Sequence, residues 1–224
     1  DSGYEIKEFT EVADVYVINT CSVTNMGDRK SRQIIRRAKK LNPNAVIAVT
    51  GCYAQTAPDE VLAIDGVNLV LGTKDRKNIV TLVEELNTES NINHVSDIMS
   101  NHEFEELQIK QYSNRTRAFI KIQEGCNQFC SYCIIPYARG PVRSRAKDDV
   151  VREIKELAHN GFKEIILVGI HVASYGVDLG DTTLESLIMD VDKIDGVERI
   201  RLSSIEPMTL NQVVTRLTLR DMME

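Results

Sequence analysis

Short apolar runs that alternate with helical patterns constrain the fold of this chain more than any other feature. Residues 15–20 (VYVINT), 45–50 (AVIAVT) and 68–71 (NLVL) are rich in aliphatic and β-branched residues. Helical patterns follow them over 28–41, 58–64 and 75–86. Strands that are apolar on both faces and alternate with helices predict a parallel sheet covered on both sides. Between 87 and 114 the apolar period fades (NTESNIN, SNHEFEE, YSN), which predicts a linker. The series then restarts with strands over 117–123 (RAFIKIQ), 164–169 (EIILVG) and 199–204 (RIRLSS), and helices over 146–159, 183–194 and 210–219. Asn160-Gly161 supplies a stop signal for the first of these helices. The expected fold class is therefore α/β, with an open parallel sheet of the Rossmann or flavodoxin kind over 1–86 and part of a (β/α) barrel over 115–224.

Both early cysteines stand at strand ends: Cys21 follows the first run, and Cys52 follows Gly51 after the second. Open α/β sheets place their ligands at that edge. The chain has 224 residues and five cysteines. No apolar run approaches the roughly 20 residues needed to cross a bilayer, and no signal-peptide pattern opens it. The expected location is the cytoplasm, without membrane attachment. There thiols stay reduced, and an odd number of them points to metal or catalysis before disulfides. The chain opens on Asp1 and not on Met, which predicts a piece of a longer protein.

A net charge of −6 speaks against a polyanionic partner, but the charge is unevenly spread. Residues 29–40 (RKSRQIIRRAKK) hold seven Lys and Arg. Arg29, Arg32, Arg36 and Lys40 fall on one helical stripe, with Ile34, Ile35, Ala38 and Leu41 as the expected apolar side. Such a stripe is ordinarily a solvated face; a phosphate-contacting surface is the alternative. A second basic group is Arg139, Arg143 and Arg145, which are candidate RNA-binding residues.

The most specific string is EGCNQFCSYCIIPYARG, residues 124–140, which sets Cys126, Cys130 and Cys133 within eight positions after a strand. Structural zinc sites use four ligands, and neither His159 nor His171 lies on a matching knuckle. Three thiolates suit a cube-shaped iron–sulfur cluster with one iron left open for a small molecule. A zinc knuckle or three buried thiols is the alternative.

Read after a strand that opens a β/α series, CNQFCSYC resembles the S-adenosylmethionine radical superfamily. The longer EGCNQFCSYCIIPYARGPVRSR resembles the methylthiotransferases, and DVYVINTCSVT and VTGCYAQ resemble that family's leading domain. KSRQIIRR, KIQEGCNQFCSYCIIPYARG and RLSSIEP look most like the branch acting on threonylcarbamoyladenosine in transfer RNA. The resemblance implies two [4Fe-4S] clusters. Cys126, Cys130 and Cys133 would hold the catalytic one, whose free iron takes S-adenosyl-L-methionine. Its reductive cleavage yields a 5′-deoxyadenosyl radical that removes hydrogen from carbon 2 of the adenine. Cys21 and Cys52 would serve an auxiliary, sulfur-carrying cluster, whose third cysteine and the family's carboxyl-terminal RNA-binding domain are not found in the sequence.

The same resemblance implies cofactor contacts by Tyr132, beside the adenine, and by Gly169 and His171, near the methionine amino group. Ser203, Ser204 and Glu206 would lie near the ribose or carboxylate. Implied partners are transfer RNA and an electron donor such as flavodoxin or ferredoxin. Isopentenyladenosine or a ribosomal-protein aspartate is the alternative acceptor, and a non-catalytic iron–sulfur or zinc-binding module the alternative of another class.

Overall fold

The computed structural model describes residues 3–22, 25–86, 89–105, 117–203 and 205. By packing, the chain divides into two units: Asp1–Asn101 with Gln128–Gly140, and His102–Asn127 with Pro141–Glu224.

The first unit is built on a parallel sheet of four strands. These are β1 (Val15–Thr20), β2 (Val46–Gly51), β3 (Leu69–Leu71) and β4 (Ile92–His94), in the order β1-β2-β3-β4. Helix α1 (Asn25–Leu41) buries Ser31, Ile35 and Ala38, an i, i+4, i+7 stripe, against the sheet. Ile35 and Ala38 join Ile47, Val49 and Val70 in one apolar cluster. A second cluster on Ala48, Leu69 and Leu71 takes Ile79 and Leu82 of α4 (Ile79–Glu84). Burying each such isoleucine or leucine contributes about 1.5–3 kcal/mol. Ile34, expected on the apolar side of α1, is instead 41% exposed. At 100° per residue it stands one step round the helix from Ile35, beyond the reach of the sheet.

Strand β4 falls inside the stretch expected to be a linker. All three of its residues are exposed, so no apolar period marks it. Backbone pairing with β3 makes it a strand, as in Val70↔Asn93.

The second unit holds β5 (Arg117–Glu124), β6 (Arg143–Ser144), β7 (Glu164–Gly169) and β8 (Arg199–Leu202), in the order β6-β5-β7-β8. β5, β7 and β8 are parallel, as barrel strands are, while the two-residue β6 runs antiparallel to β5. Helices α6 (Lys147–His159) and α7 (Leu184–Asp192) cover the sheet through Val150, Ile154, Leu187 and Val191, which pack on Ile120, Ile165 and Leu167. Thr183 caps α7: its hydroxyl accepts from the Ser186 amide while Ser186 Oγ accepts from the Thr183 amide. The helix expected over 210–219 lies outside the described residues. No helix among the described residues is long and apolar enough to cross a membrane.

Candidate functional site

In the first unit, the parallel register pairs Thr20 with Gly51, so Cys21 and Cys52 each follow the last residue of adjacent strands. Gly51 has φ of 99°, and a Cβ there would lie 2.3 Å from the Thr20 carbonyl. Only glycine lets the chain turn so close to its neighbour. That turn starts α2 (Cys52–Thr56), which places Cys52 inside at 4% exposure, while Cys21 is exposed. Thr20 Oγ1 donates to the Thr50 carbonyl (2.6 Å) and accepts from the Ala54 amide (3.3 Å), fastening the turn.

The segment 128–140, which carries Cys130 and Cys133, packs with this unit through α5 (Ile135–Arg139). Arg139 Nε donates to Cys52 Sγ (3.3 Å). The Thr73 hydroxyl donates to the Ala138 carbonyl (3.1 Å), and the Thr73 amide donates to Gln55 Oε1 (2.8 Å). Arg139 is thus engaged beside a cysteine, although the sequence placed it among RNA contacts. Cys133 N donates to the Cys130 carbonyl (2.9 Å), closing one turn. Phe129 has φ of 46°, a left-handed conformation that costs a bulky residue about 1–3 kcal/mol. Its ring meets that of Tyr137 edge-on, with centroids 5.9 Å apart, an ordinary aromatic geometry. Tyr132 is 90% exposed.

In the second unit, the strand ends of sheet β6-β5-β7-β8 gather the remaining candidates. β5 alternates strictly through Lys121, with Ala118 and Ile120 inside. The register then slips: Lys121 pairs with Val168 but Gln123 pairs with Gly169, so Ile122 is an extra residue. This bulge turns Gln123 from the outer face to the interior, where it is 0% exposed. Its Nε2 donates to the carbonyls of Glu124 (2.9 Å) and Gly125 (2.7 Å), and its Oε1 accepts from the His171 amide (2.8 Å). A Cβ on Gly169 would come within 2.8 Å of that Oε1, so the room left by this glycine is filled by Gln123. Sequence reasoning missed Gln123, since its burial depends on the bulge.

His171 is buried, with Nδ1 2.5 Å from Ser174 Oγ. Ser203 extends the edge of β8, its amide donating to the Leu167 carbonyl (3.0 Å). Its hydroxyl is buried with no hydrogen-bond partner among the described residues. Ser204 and Glu206 lie outside the described residues. Cys126 follows two residues after β5.

Arg143 and Arg145, expected to face RNA, are 3% and 7% exposed. Arg143 donates to the Pro141 carbonyl (3.0 Å) and stands 3.8 Å from Glu124, which also holds Lys121 at 2.7 Å. Arg145 pairs with Glu153. Its carbonyl accepts from the Tyr175 hydroxyl (2.9 Å), and burial pushes that phenol well above its usual range. Both arginines brace the segment after the cysteine loop and offer little surface to a phosphate.

Among the described residues no three His, Cys, Asp or Glu side chains are gathered as a ready metal site. The donors nevertheless suit the expected group. Cys126, Cys130 and Cys133 are not joined in disulfides and each is half-buried, so each has a side open to solvent. The buried Ser203 hydroxyl and the strand-end backbone at 169–171 supply polar positions at the same edge as Cys126.

Comparison with known proteins adds three findings. Residues 1–72 match the family described as uncharacterized protein family UPF0004, and residues 120–222 match the radical SAM superfamily. Among similar proteins, the threonylcarbamoyladenosine tRNA methylthiotransferase MtaB of Bacillus subtilis is 50% identical over 96% of this chain and 48% of its own length. The protein of that name from Aquifex aeolicus is 43% identical over 96% of this chain and 52% of its own length. A tRNA-2-methylthio-N(6)-dimethylallyladenosine synthase of Sulfurihydrogenibium is 37% identical over 94% of this chain and 49% of its own. The chain thus spans about half the length of these relatives. Among solved structures, the radical S-adenosylmethionine methyltransferase TsrM of Kitasatospora setae shares the fold at a TM-score of 0.50. Its sequence identity is 16%, covering 81% of this chain and 41% of that one.

Proposed function

We propose, from the premise that this chain belongs to the radical S-adenosylmethionine methylthiotransferase family, that it takes part in adding a methylthio group to carbon 2 of threonylcarbamoyl-modified adenosine in transfer RNA. The observation that carries the reading is the carboxyl edge of the second sheet. There the strand before Cys126, the 169–171 turn and the buried Ser203 hydroxyl end side by side. An edge that collects backbone and hydroxyl groups around a thiol-bearing loop suits a small polar cofactor.

Cys126, Cys130 and Cys133 would hold a [4Fe-4S] cluster, which together with S-adenosyl-L-methionine would supply radical chemistry when reduced. The chain's own residues bind and orient. Cys126 is set by the rigid end of β5, and Cys130 and Cys133 by the turn their backbones close. Gly169 would lie at the methionine end beside His171, whose amide is held by Gln123, Ser203 would offer a hydroxyl, and the exposed Tyr132 ring would cover the adenine. Cys21 and Cys52, at the ends of paired strands, are the ligands this chain contributes to an auxiliary cluster, with Arg139 donating to the Cys52 sulfur. Transfer RNA is the substrate, and a small reducing protein such as flavodoxin or ferredoxin the electron source.

The test is mass spectrometry of transfer-RNA nucleosides from a strain lacking this activity and supplied with the intact protein. Appearance of 2-methylthio-threonylcarbamoyladenosine is expected, and its loss when Cys126, Cys130 and Cys133 are all changed to Ala. The relative named for dimethylallyladenosine, at 37% identity, favours a second reading with the same chemistry on that nucleoside. A methylthio group found only there would select it.

A further inference from the structure

We propose that Gln123 is a positioning residue that fixes the entry to the Cys126 loop against the 169–171 turn, and so sets the affinity of the cluster-bearing site for S-adenosyl-L-methionine. This rests on the cofactor reading above and adds to it a residue that touches neither cluster nor cofactor.

A primary amide carries two donors and one acceptor group in a plane, so one side chain can tie three backbone groups. Gln123 does this: two carbonyls of the loop entry, Glu124 and Gly125, on its nitrogen, and the His171 amide on its oxygen. Gly125 is the residue directly before Cys126, and His171 is 48 positions beyond Gln123. The side chain is 0% exposed, so each of these bonds is screened from water, and losing one leaves a buried group unsatisfied. The bulge at Ile122 aims it inward, and Gly169 leaves the space it fills. Three unusual local features converge on one amide.

None of them is needed for a strand merely to end. A β5 without the bulge would pair Ile122 with Gly169 and send residue 123 outward with Phe119 and Lys121. What the arrangement achieves is a fixed spacing between a metal-ligand loop and a turn that leaves Gly169 half-exposed and Ile170 exposed. A spacing of that kind matters most to a ligand that touches both, as a molecule chelating an iron and contacting the 169–171 backbone does.

Two variants test this. Gln123→Leu has similar bulk and removes all three hydrogen bonds. Gln123→Glu keeps an acceptor for the His171 amide but sets a carboxylate against the Glu124 and Gly125 carbonyls. In cluster-free protein, amide hydrogen exchange at His171 should quicken at least about tenfold in Gln123→Leu, the effect of one lost buried hydrogen bond, and much less in Gln123→Glu. Exchange at 125–127 should quicken in both. After anaerobic reconstitution, iron content per chain should match the unmodified protein. The affinity for S-adenosyl-L-methionine, titrated by its effect on the electron paramagnetic resonance spectrum of the reduced cluster, should fall about tenfold, the equivalent of one hydrogen bond.

Unchanged exchange at His171 would overturn the tie itself. A lower melting midpoint with cofactor affinity per loaded cluster unchanged would reduce Gln123 to a structural residue, and also overturns the proposal. Should Gln123→Leu fail to fold, Gln123→Glu alone decides, through exchange at 125–127 and cofactor affinity. Failure of the unmodified, loaded protein to respond to S-adenosyl-L-methionine would sink the cofactor reading, and this inference with it; that outcome is read without any variant.

Discussion

Helix α1 and the segment after the cysteine loop are the two most basic stretches of the chain, and they use the same residue type in opposite ways. On α1, Arg29, Arg36 and Lys40 are exposed, while Arg32 alone of the stripe turns inward, donating to the Tyr53 hydroxyl at 2.8 Å. Tyr53 in turn donates to Glu60 (3.1 Å), so Arg32 ties the helix to α2 and to α3 (Pro58–Leu62). After the loop, Arg143 and Arg145 are buried, each facing a carboxylate. Nearness in sequence to a reactive loop therefore says little about which charges meet a polyanion. Guanidinium groups can be taken into a fold because their donors point in a fixed plane that carboxylates and carbonyls match.

The largest expected effect from this contrast is on stability. Arg143→Ala strips a buried partner from Glu124, which keeps Lys121, and should cost about 3 kcal/mol in chemical denaturation. Arg145→Ala should cost less, about 2 kcal/mol, because Glu153 is a quarter exposed and can be rehydrated. Arg32→Ala should lower the midpoint by less again, since water can replace the Tyr53 bond at this half-exposed position. Arg36→Ala and Lys40→Ala should stay within about 0.5 kcal/mol. A stability loss as large on α1 as at Arg143 breaks the comparison.

The smallest effects on folding carry the sharper functional question. Reversing Arg36 and Lys40 to Glu should weaken binding of an anticodon stem-loop and lower the slope of log affinity against log salt by roughly 1.4–1.8, if each charge neutralises one phosphate. Arg143→Lys should leave that slope unchanged. A slope change at Arg143 with none at Arg36 and Lys40 reverses the assignment of outward and inward charge.

How far the sequence foretold this molecule differs between elements for physical reasons. β1 and β7 were legible to the residue, 15–20 and 164–169, because each is a continuous apolar run with a sharp polar or glycine boundary. α2, at CYAQT, and α5, at IPYAR, are single turns set by a Gly51 backbone and a proline, too short to show a period. β4 and β6 are held by backbone pairing, to which two or three residues with no apolar alternation give no clue. The cysteines could be read from type and spacing alone. Gln123 could not, because a polar residue at an outward position of an alternating strand reads as solvent-facing until a bulge reverses it.

The return of residues 128–140 to the first unit bears on how the protein is made. Cys52 and Arg139 are 87 positions apart, and translation adds about 5–20 residues each second, so roughly 4–17 s separate their emergence. In that interval β1, β2 and α2 are already made, but the helix that covers Cys52 is not. The packing of the first unit is completed by a piece delivered from beyond β5. A thiol destined for the interior thus spends seconds accessible to solvent during synthesis, which gives scaffold proteins or oxidants a window that the finished fold closes.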